Sequence, residues 1–119
     1  MEEEFIPYEE ALALKELGFK EGCFGYYRND DEVLFPFTYY EGQFDDLTLA
    51  PLYQQAFRWF REKQFLIDVT GLNSDEYEFY IQWSFAYSHL SDIYKTYEEA
   101  ELACLDKLIE IVKFKPQEQ

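Results

Sequence analysis

Apolar residues recur along this chain in helical spacing at some places and in strict alternation at others, and the switches between the two predict its elements. Over residues 7–17, Tyr8, Ala11 and Leu12 share one helical face. Pro7 has a backbone angle suited to a first helical position, and Glu9 and Glu10 favour the positive helix start. Gly18 followed by Phe19 predicts a left-handed stop with an apolar closure. Residues 23–28 and 33–40 are rich in Phe and Tyr and read as strands joined by the turn Asn29-Asp30-Asp31. They predict a hairpin, with Pro36 placing one strand at an edge or a bulge.

Residues 42–48 read as a polar connection. An amphipathic helix is expected over 49–64, with Leu52, Tyr53, Ala56, Phe57, Trp59 and Phe60 at helical spacing. Residues 65–70 follow as a strand and 71–75 as a turn. The clearest alternation runs from Tyr77 through Phe79, Ile81, Trp83 and Phe85 to Tyr87, and predicts one strand with a face in a core. A short strand at 93–95 would complete a meander. Thr96-Tyr97-Glu98-Glu99 has the pattern of a capping box, opening a helix from Tyr97 to about residue 114 that Pro116 stops. Its apolar arc, through Ala100, Leu102, Cys104, Leu105, Leu108, Ile109, Ile111 and Val112, covers about half the circumference. That breadth predicts a helix lying across a sheet at the centre of the core.

The order of elements predicts an α+β fold, an antiparallel sheet packed by helices on one face. Tyr8-Glu9-Glu10-Ala11, Tyr53-Gln54-Gln55-Ala56 and Tyr97-Glu98-Glu99-Ala100 all read Tyr-x-x-Ala at expected helix starts, 45 and 44 residues apart. The echo fits either an internal helix-strand-strand duplication or a shared way of entering a helix. From residue 51 onward, helix, three strands and helix is the topology of a double-stranded-RNA-binding domain, although a fold alone would not establish that function.

Composition bounds these readings. At 119 residues the chain fits a single domain, residues 1–119, able to bury a core without disulfides or a structural metal, with 1–50 and 51–115 as its two parts. Hydrophobic residues make up 48%, which excludes a wholly disordered chain. No apolar run approaches the roughly 20 residues of a membrane span, and the acidic start Met1-Glu2-Glu3-Glu4 is unlike a signal peptide, so a cytoplasmic protein is expected.

The net charge of -15 argues against direct binding to a phosphate backbone. It is unevenly spread: residues 1–50 hold 13 acids and 3 bases, net -10, and residues 51–119 hold 12 acids and 7 bases, net -5. Such a field repels acidic partners and attracts basic ones.

Candidate chemistry is sparse. Cys23 and Cys104 lack metal or redox spacing and read as small buried hydrophobes. His89, the only histidine, reads as a loop residue after a strand. No glycine-rich phosphate loop or metalloprotease motif is present, and Asp30-Asp31-Glu32 and Asp45-Asp46 lack the alternating ligands and glycine of a calcium loop. No enzyme, no cofactor and no metal are expected.

The aromatic surplus is more informative, because 12 Phe and 11 Tyr exceed the evident needs of a core this size. Tyr26, Tyr27, Tyr39 and Tyr40 fall in adjacent pairs, so one of each pair must face away from the other on a strand. A second covered sheet face, snorkelling tyrosines and an aromatic docking patch all fit. As a partner surface, the candidate residues are Tyr26, Tyr27, Tyr39 and Tyr40 with the acidic rim Asp30, Asp31 and Glu32.

The helical segments at 6–19, 50–63 and 96–113 resemble a group of small uncharacterised acidic proteins of Bacteroidetes and their phages and prophages. They cover about half the chain. The resemblance implies a phage or mobile-element setting and brings no activity or site residue with it. The expectation is therefore a non-enzymatic accessory protein that binds another protein, the alternative being an acidic nucleic-acid mimic that inhibits a DNA-binding or defence protein.

Overall fold

The computed structural model describes residues 4–36, 47–83 and 87–114. The fold is α+β, with three helices and two three-stranded antiparallel sheets among the described residues. The chain divides into two units, Met1–Ala56 and Phe57–Gln119.

In the first unit, α1 (Tyr8–Leu17) begins after Pro7 and ends at Gly18, whose φ of 107° lies in the left-handed region open to glycine. Phe19 then turns back, its N–H donating to the Leu14 carbonyl at 2.9 Å and its side chain buried, as the Gly-Phe pair predicted. Strands β1 (Gly25–Arg28), β2 (Leu34–Pro36) and β3 (Leu47–Ala50) follow. The sheet order is β2-β1-β3, so Pro36 sits on an edge strand, as its missing N–H requires. A side chain at position 25 would put its Cβ 3.0 Å from the Phe5 ring and 3.1 Å from the Phe35 carbonyl oxygen, and glycine relieves that crowding. Ile6, Ala11, Leu14, Phe19, Tyr27, Leu47, Ala50 and Ala56 are among this unit's buried residues.

Strand β3 corrects the expectation at 47–50, where the sequence predicts a polar connection running into a helix from 49; residues 42–46 of that connection lie outside the described residues. Four residues are too few to display a period, and Leu49 merely extended the helical spacing that follows it. The helix itself, α2 (Tyr53–Arg61), is shorter, and the unit division falls within it. Gln55 secures its start: the side-chain oxygen accepts from the Leu52 N–H at 3.0 Å, and the amide nitrogen donates to the Gly22 carbonyl at 3.0 Å.

In the second unit, β4 (Phe65–Asn73), β5 (Glu76–Trp83) and β6 (Tyr87–Leu90) form a sheet in the order β4-β5-β6. The single strand expected over 77–87 is two antiparallel strands, with Trp83 opposite Tyr87 and Ile81 opposite His89. The alternation conceals the reversal because odd-numbered residues lie on the same face before and after it. Strand β4 extends into the span expected as a turn at 71–75, ending at Asn73 with a register shift between Gly71 and Asn73, and only 74–75 turn. In place of a strand at 93–95, Tyr94 makes an isolated bridge to Tyr77.

Helix α3 (Tyr97–Phe114) has the bounds the sequence predicts and packs on β4 and β5. Glu99 N–H donates to Thr96 Oγ1 at 3.1 Å, and the Glu99 carboxylate reaches back to the Lys95 N–H at 3.3 Å, one residue before the cap. Ala100, Cys104, Leu105, Leu108, Ile109 and Ile111 are buried, whereas Leu102 and Val112 are half-buried. Phe65, Ile67, Phe79 and Ile81 complete this core from the sheet.

Each Tyr-x-x-Ala motif starts a helix, with Tyr8, Tyr53 and Tyr97 first and Ala11, Ala56 and Ala100 buried one turn later. The two sheets differ in order, β1 being central in one and β5 in the other, so the echo does not extend to a repeated topology. Among the described residues no helix is long and apolar enough to cross a membrane.

Candidate partner-binding surface

Strand parity separates the Tyr26–Tyr27 pair. Tyr27 points inward beside α1, its hydroxyl donating to the Ile6 carbonyl at 2.7 Å and its ring meeting Tyr8 edge-on at 5.5 Å. With 8% of its surface exposed it is a core residue, which removes it from the expected partner surface. A tyrosine buried along its ring still needs a partner for its hydroxyl, and the Ile6 carbonyl supplies one.

Tyr26 lies on the opposite face and stacks on Phe35, its cross-strand neighbour, with ring centroids 5.7 Å apart and planes at 23°. The Arg28 guanidinium sits 4.7 Å from the centre of the same Phe35 ring, a cation held against a π face. Arg28 also donates from Nε to Asp31 Oδ1 at 3.2 Å and from Nη2 to Asp31 Oδ2, and Asp30 lies 4.0 Å away. Asp31 Oδ1 in turn accepts from the Val33 N–H at 3.2 Å. The hydrogen bond from Arg28 holds the Asp31 carboxyl below the usual carboxylate range, and the same bond raises the guanidinium.

The turn closes through Glu32, whose N–H donates to the Arg28 carbonyl at 2.8 Å and whose φ of 59° is left-handed. Asp30, Asp31 and Glu32 are all exposed and outnumber the one guanidinium among them. Phe24 is 69% exposed and Val33 43% exposed, so apolar surface continues beside the stack. The structure thus brings together Tyr26, Asp30, Asp31 and Glu32 and adds Phe24, Arg28, Val33 and Phe35. Tyr39 and Tyr40 lie outside the described residues.

A second exposed apolar region escaped sequence reasoning. Leu66, Leu72, Tyr80 and Leu90 are exposed, and Leu66, Tyr80 and Leu90 sit on the face of the second sheet away from α3. The signal was present in Phe65-Leu66-Ile67, since three consecutive apolar residues on a strand cannot all face one core. His89 belongs to β6 rather than a loop, with its ring 5.7 Å from Phe79.

Neither cysteine offers a reactive thiolate. Burial pushes the Cys104 thiol up to about 12. Burial, reinforced by the Glu21 carboxylate, likewise pushes half-buried Cys23 up to about 12, and its thiol donates to the Glu21 carbonyl at 3.3 Å. Among the described residues no group of three or more His, Cys, Asp or Glu side chains is placed to hold a metal ion. Comparison with protein families, with curated proteins and with solved structures finds no match to this chain.

Proposed function

We propose that this chain is a non-enzymatic accessory protein that docks a basic segment of another protein on its β1–β2 hairpin. The observation that carries the reading is the Tyr26–Phe35–Arg28 stack, flanked by exposed Phe24 and Val33 and rimmed by Asp30, Asp31 and Glu32. Rigid aromatic side chains with a polar edge are favoured at protein interfaces, because they present large contact area at small cost in side-chain freedom. Arg28 ties the stack to the acidic turn and pre-organises both, which lowers the ordering cost of association. The net charge of -10 over residues 1–50 steers a basic partner toward this unit. The resemblance of the helical segments sets the partner in a phage or mobile-element context.

The test is capture of partners from bacterial lysate by the tagged chain and by a Phe24→Ser/Tyr26→Ala variant, washed at low and then high salt and identified by mass spectrometry. The expected result is one enriched protein retained by the native chain and bound at least about tenfold less by the variant. A partner held equally by both would remove the hairpin from the interface. A DNA-binding partner held equally by both and released by salt would transfer the function to the acidic-mimic reading.

A further inference from the structure

Strand β4 is the longest strand among the described residues, nine residues from Phe65 to Asn73, and it lies at the edge of its sheet. Which of its backbone groups point outward follows from the far side of β5. There, Tyr77 exchanges backbone bonds with Tyr94, and Phe79 accepts from the Ser91 N–H, so odd-numbered residues of β5 turn their polar groups away from β4. Even-numbered residues of β5 therefore bond to β4. In the pairs Leu66 with Gln82, Asp68 with Tyr80 and Thr70 with Glu78, the β4 residues point to β5. Ile67, Val69 and Gly71 consequently turn their N–H and C=O groups outward.

Among the described residues no backbone group outside β5 bonds to this edge. Its visible guard is Arg61, whose Nη2 donates to the Ile67 carbonyl at 3.3 Å, the long end of a hydrogen bond. Native edges are usually blunted by shortness, proline, lysine, bulges or inward charge, and the one such device in β4 is the register shift at its far end, between Gly71 and Asn73. Within residues 65–73 there is no Pro and no Lys, and Asp68 is the only charge.

We propose that this edge pairs with the same edge of a second copy of the chain, antiparallel about a two-fold axis at Val69, joining two three-stranded sheets into one of six. The register follows from the side chains. Centring on Asp68 would set Asp68 against its own copy, and centring on Ile67 would set Leu66 against Asp68; both are mismatched. Centring on Val69 sets exposed Leu66 opposite exposed Leu72, the residue at the register shift, Asp68 opposite Thr70, and bulky Ile67 opposite Gly71. Ile67, Val69 and Gly71, which carry the outward backbone groups, then fall in the hydrogen-bonded pairs of the new ladder.

The same register brings the Arg61-Glu62-Lys63 end of one copy, two bases and one acid, beside the Asp75-Glu76 end of the other. The strand is thus self-complementary in apolar contact, hydrogen bonding and charge, as a two-fold interface requires. The opposing force is the net charge of -15 on each copy, which is long-ranged and screened by salt. This surface is independent of the hairpin surface, and either reading survives the failure of the other.

The test is sedimentation equilibrium of the full chain from about 10 µM to about 1 mM in low and high salt. It is paired with amide hydrogen exchange at Ile67, Val69 and Gly71. The expected result is a monomer–dimer equilibrium that tightens as salt rises, with those amides gaining protection as concentration increases. Leu66→Lys changes an exposed residue, and its dimer constant should weaken at least about tenfold. Adding Leu72→Glu should restore association, because the register places the two changed positions opposite each other twice. A chain monomeric throughout overturns the proposal. So does a dimer whose Ile67 and Val69 amides exchange at the monomer rate, or one that Leu66→Lys leaves unchanged. An amide ladder protected only on adding another protein's extended segment would assign the edge to that partner and likewise overturn it.

Discussion

The two units keep their shape by different means. The second lays an eighteen-residue helix on its sheet, and Ile67, Phe79 and Ile81 of the sheet and Ala100, Cys104, Leu105, Leu108 and Ile111 of the helix are buried in its apolar core. The first has a ten-residue helix and shorter strands, and side-chain hydrogen bonds across long stretches of sequence tie it together. Lys15 Nζ donates to the Leu47 carbonyl at 3.0 Å, Tyr27 to Ile6 at 2.7 Å, Thr48 to Asn29 Oδ1 at 2.6 Å and Gln55 to Gly22 at 3.0 Å. Where little apolar surface is available to bury, backbone groups left by irregular segments become the attachment points, and each needs its polar partner.

The largest effect that would sharpen this contrast is expected from Leu108→Ala. Leu108 is fully buried on α3, and truncation there removes transfer energy and leaves a cavity, a loss of about 2–5 kcal/mol. Both tryptophans, Trp59 and Trp83, belong to the second unit, so urea unfolding followed by tryptophan fluorescence should show the midpoint fall with little change in slope. A loss below about 1 kcal/mol would mean that the helix–sheet core is not what holds this unit.

A smaller effect is expected from Tyr27→Phe, which keeps the ring against Tyr8 and removes only the hydroxyl. The buried Ile6 carbonyl then loses its donor, a loss of about 1–2 kcal/mol. Denaturant-dependent hydrogen exchange of the β1 and α1 amides would read it. Were the variant as stable as the native chain, polar ties would not distinguish the first unit. Were it as damaging as Leu108→Ala, the hydroxyl would count for as much as the truncated leucine side chain.

What the sequence made legible follows the same division. Helix α3 and the stop of α1 depend on neighbours within one turn, namely Thr96 with Glu99 and Gly18 with Phe19, so their signals are local and complete. Strand β3 and the boundary between β5 and β6 depend on pairing. Trp83 and Tyr87 face each other across the reversal with the same parity, which lets one alternation run through two strands. For the candidate surface, parity required one tyrosine of the Tyr26–Tyr27 pair to turn inward. Which one is decided by Ile6 and Tyr8, residues about twenty positions away. The β4 edge was illegible for the same reason, because an edge is a property of strand order, and strand order is set by non-local pairing.

The smallest effect concerns the exposed tip of the first unit, where the polar tie is a surface ion pair and solvent weakens it most. Arg28 holds the Asp31 carboxyl below the usual range, with the Val33 N–H assisting. A carboxyl lowered on folding stabilises the fold above its unfolded value, near pH 4, and that contribution fades as pH falls through the folded value. Both partners are exposed, so the ordered turn and its stack should change more than global stability does. Carboxyl-carbon NMR titration should place the Asp31 midpoint below that of an ordinary aspartate, and Arg28→Gln should raise it toward the ordinary range, with the Val33 N–H still bonded to the carboxylate. The Tyr26 and Phe35 ring resonances should shift with the same midpoint in the native chain, because Arg28 touches Phe35 and Asp31 at once. A normal Asp31 midpoint, or rings indifferent to it, would separate the acidic rim from the aromatic stack and leave the hairpin surface as two unconnected parts.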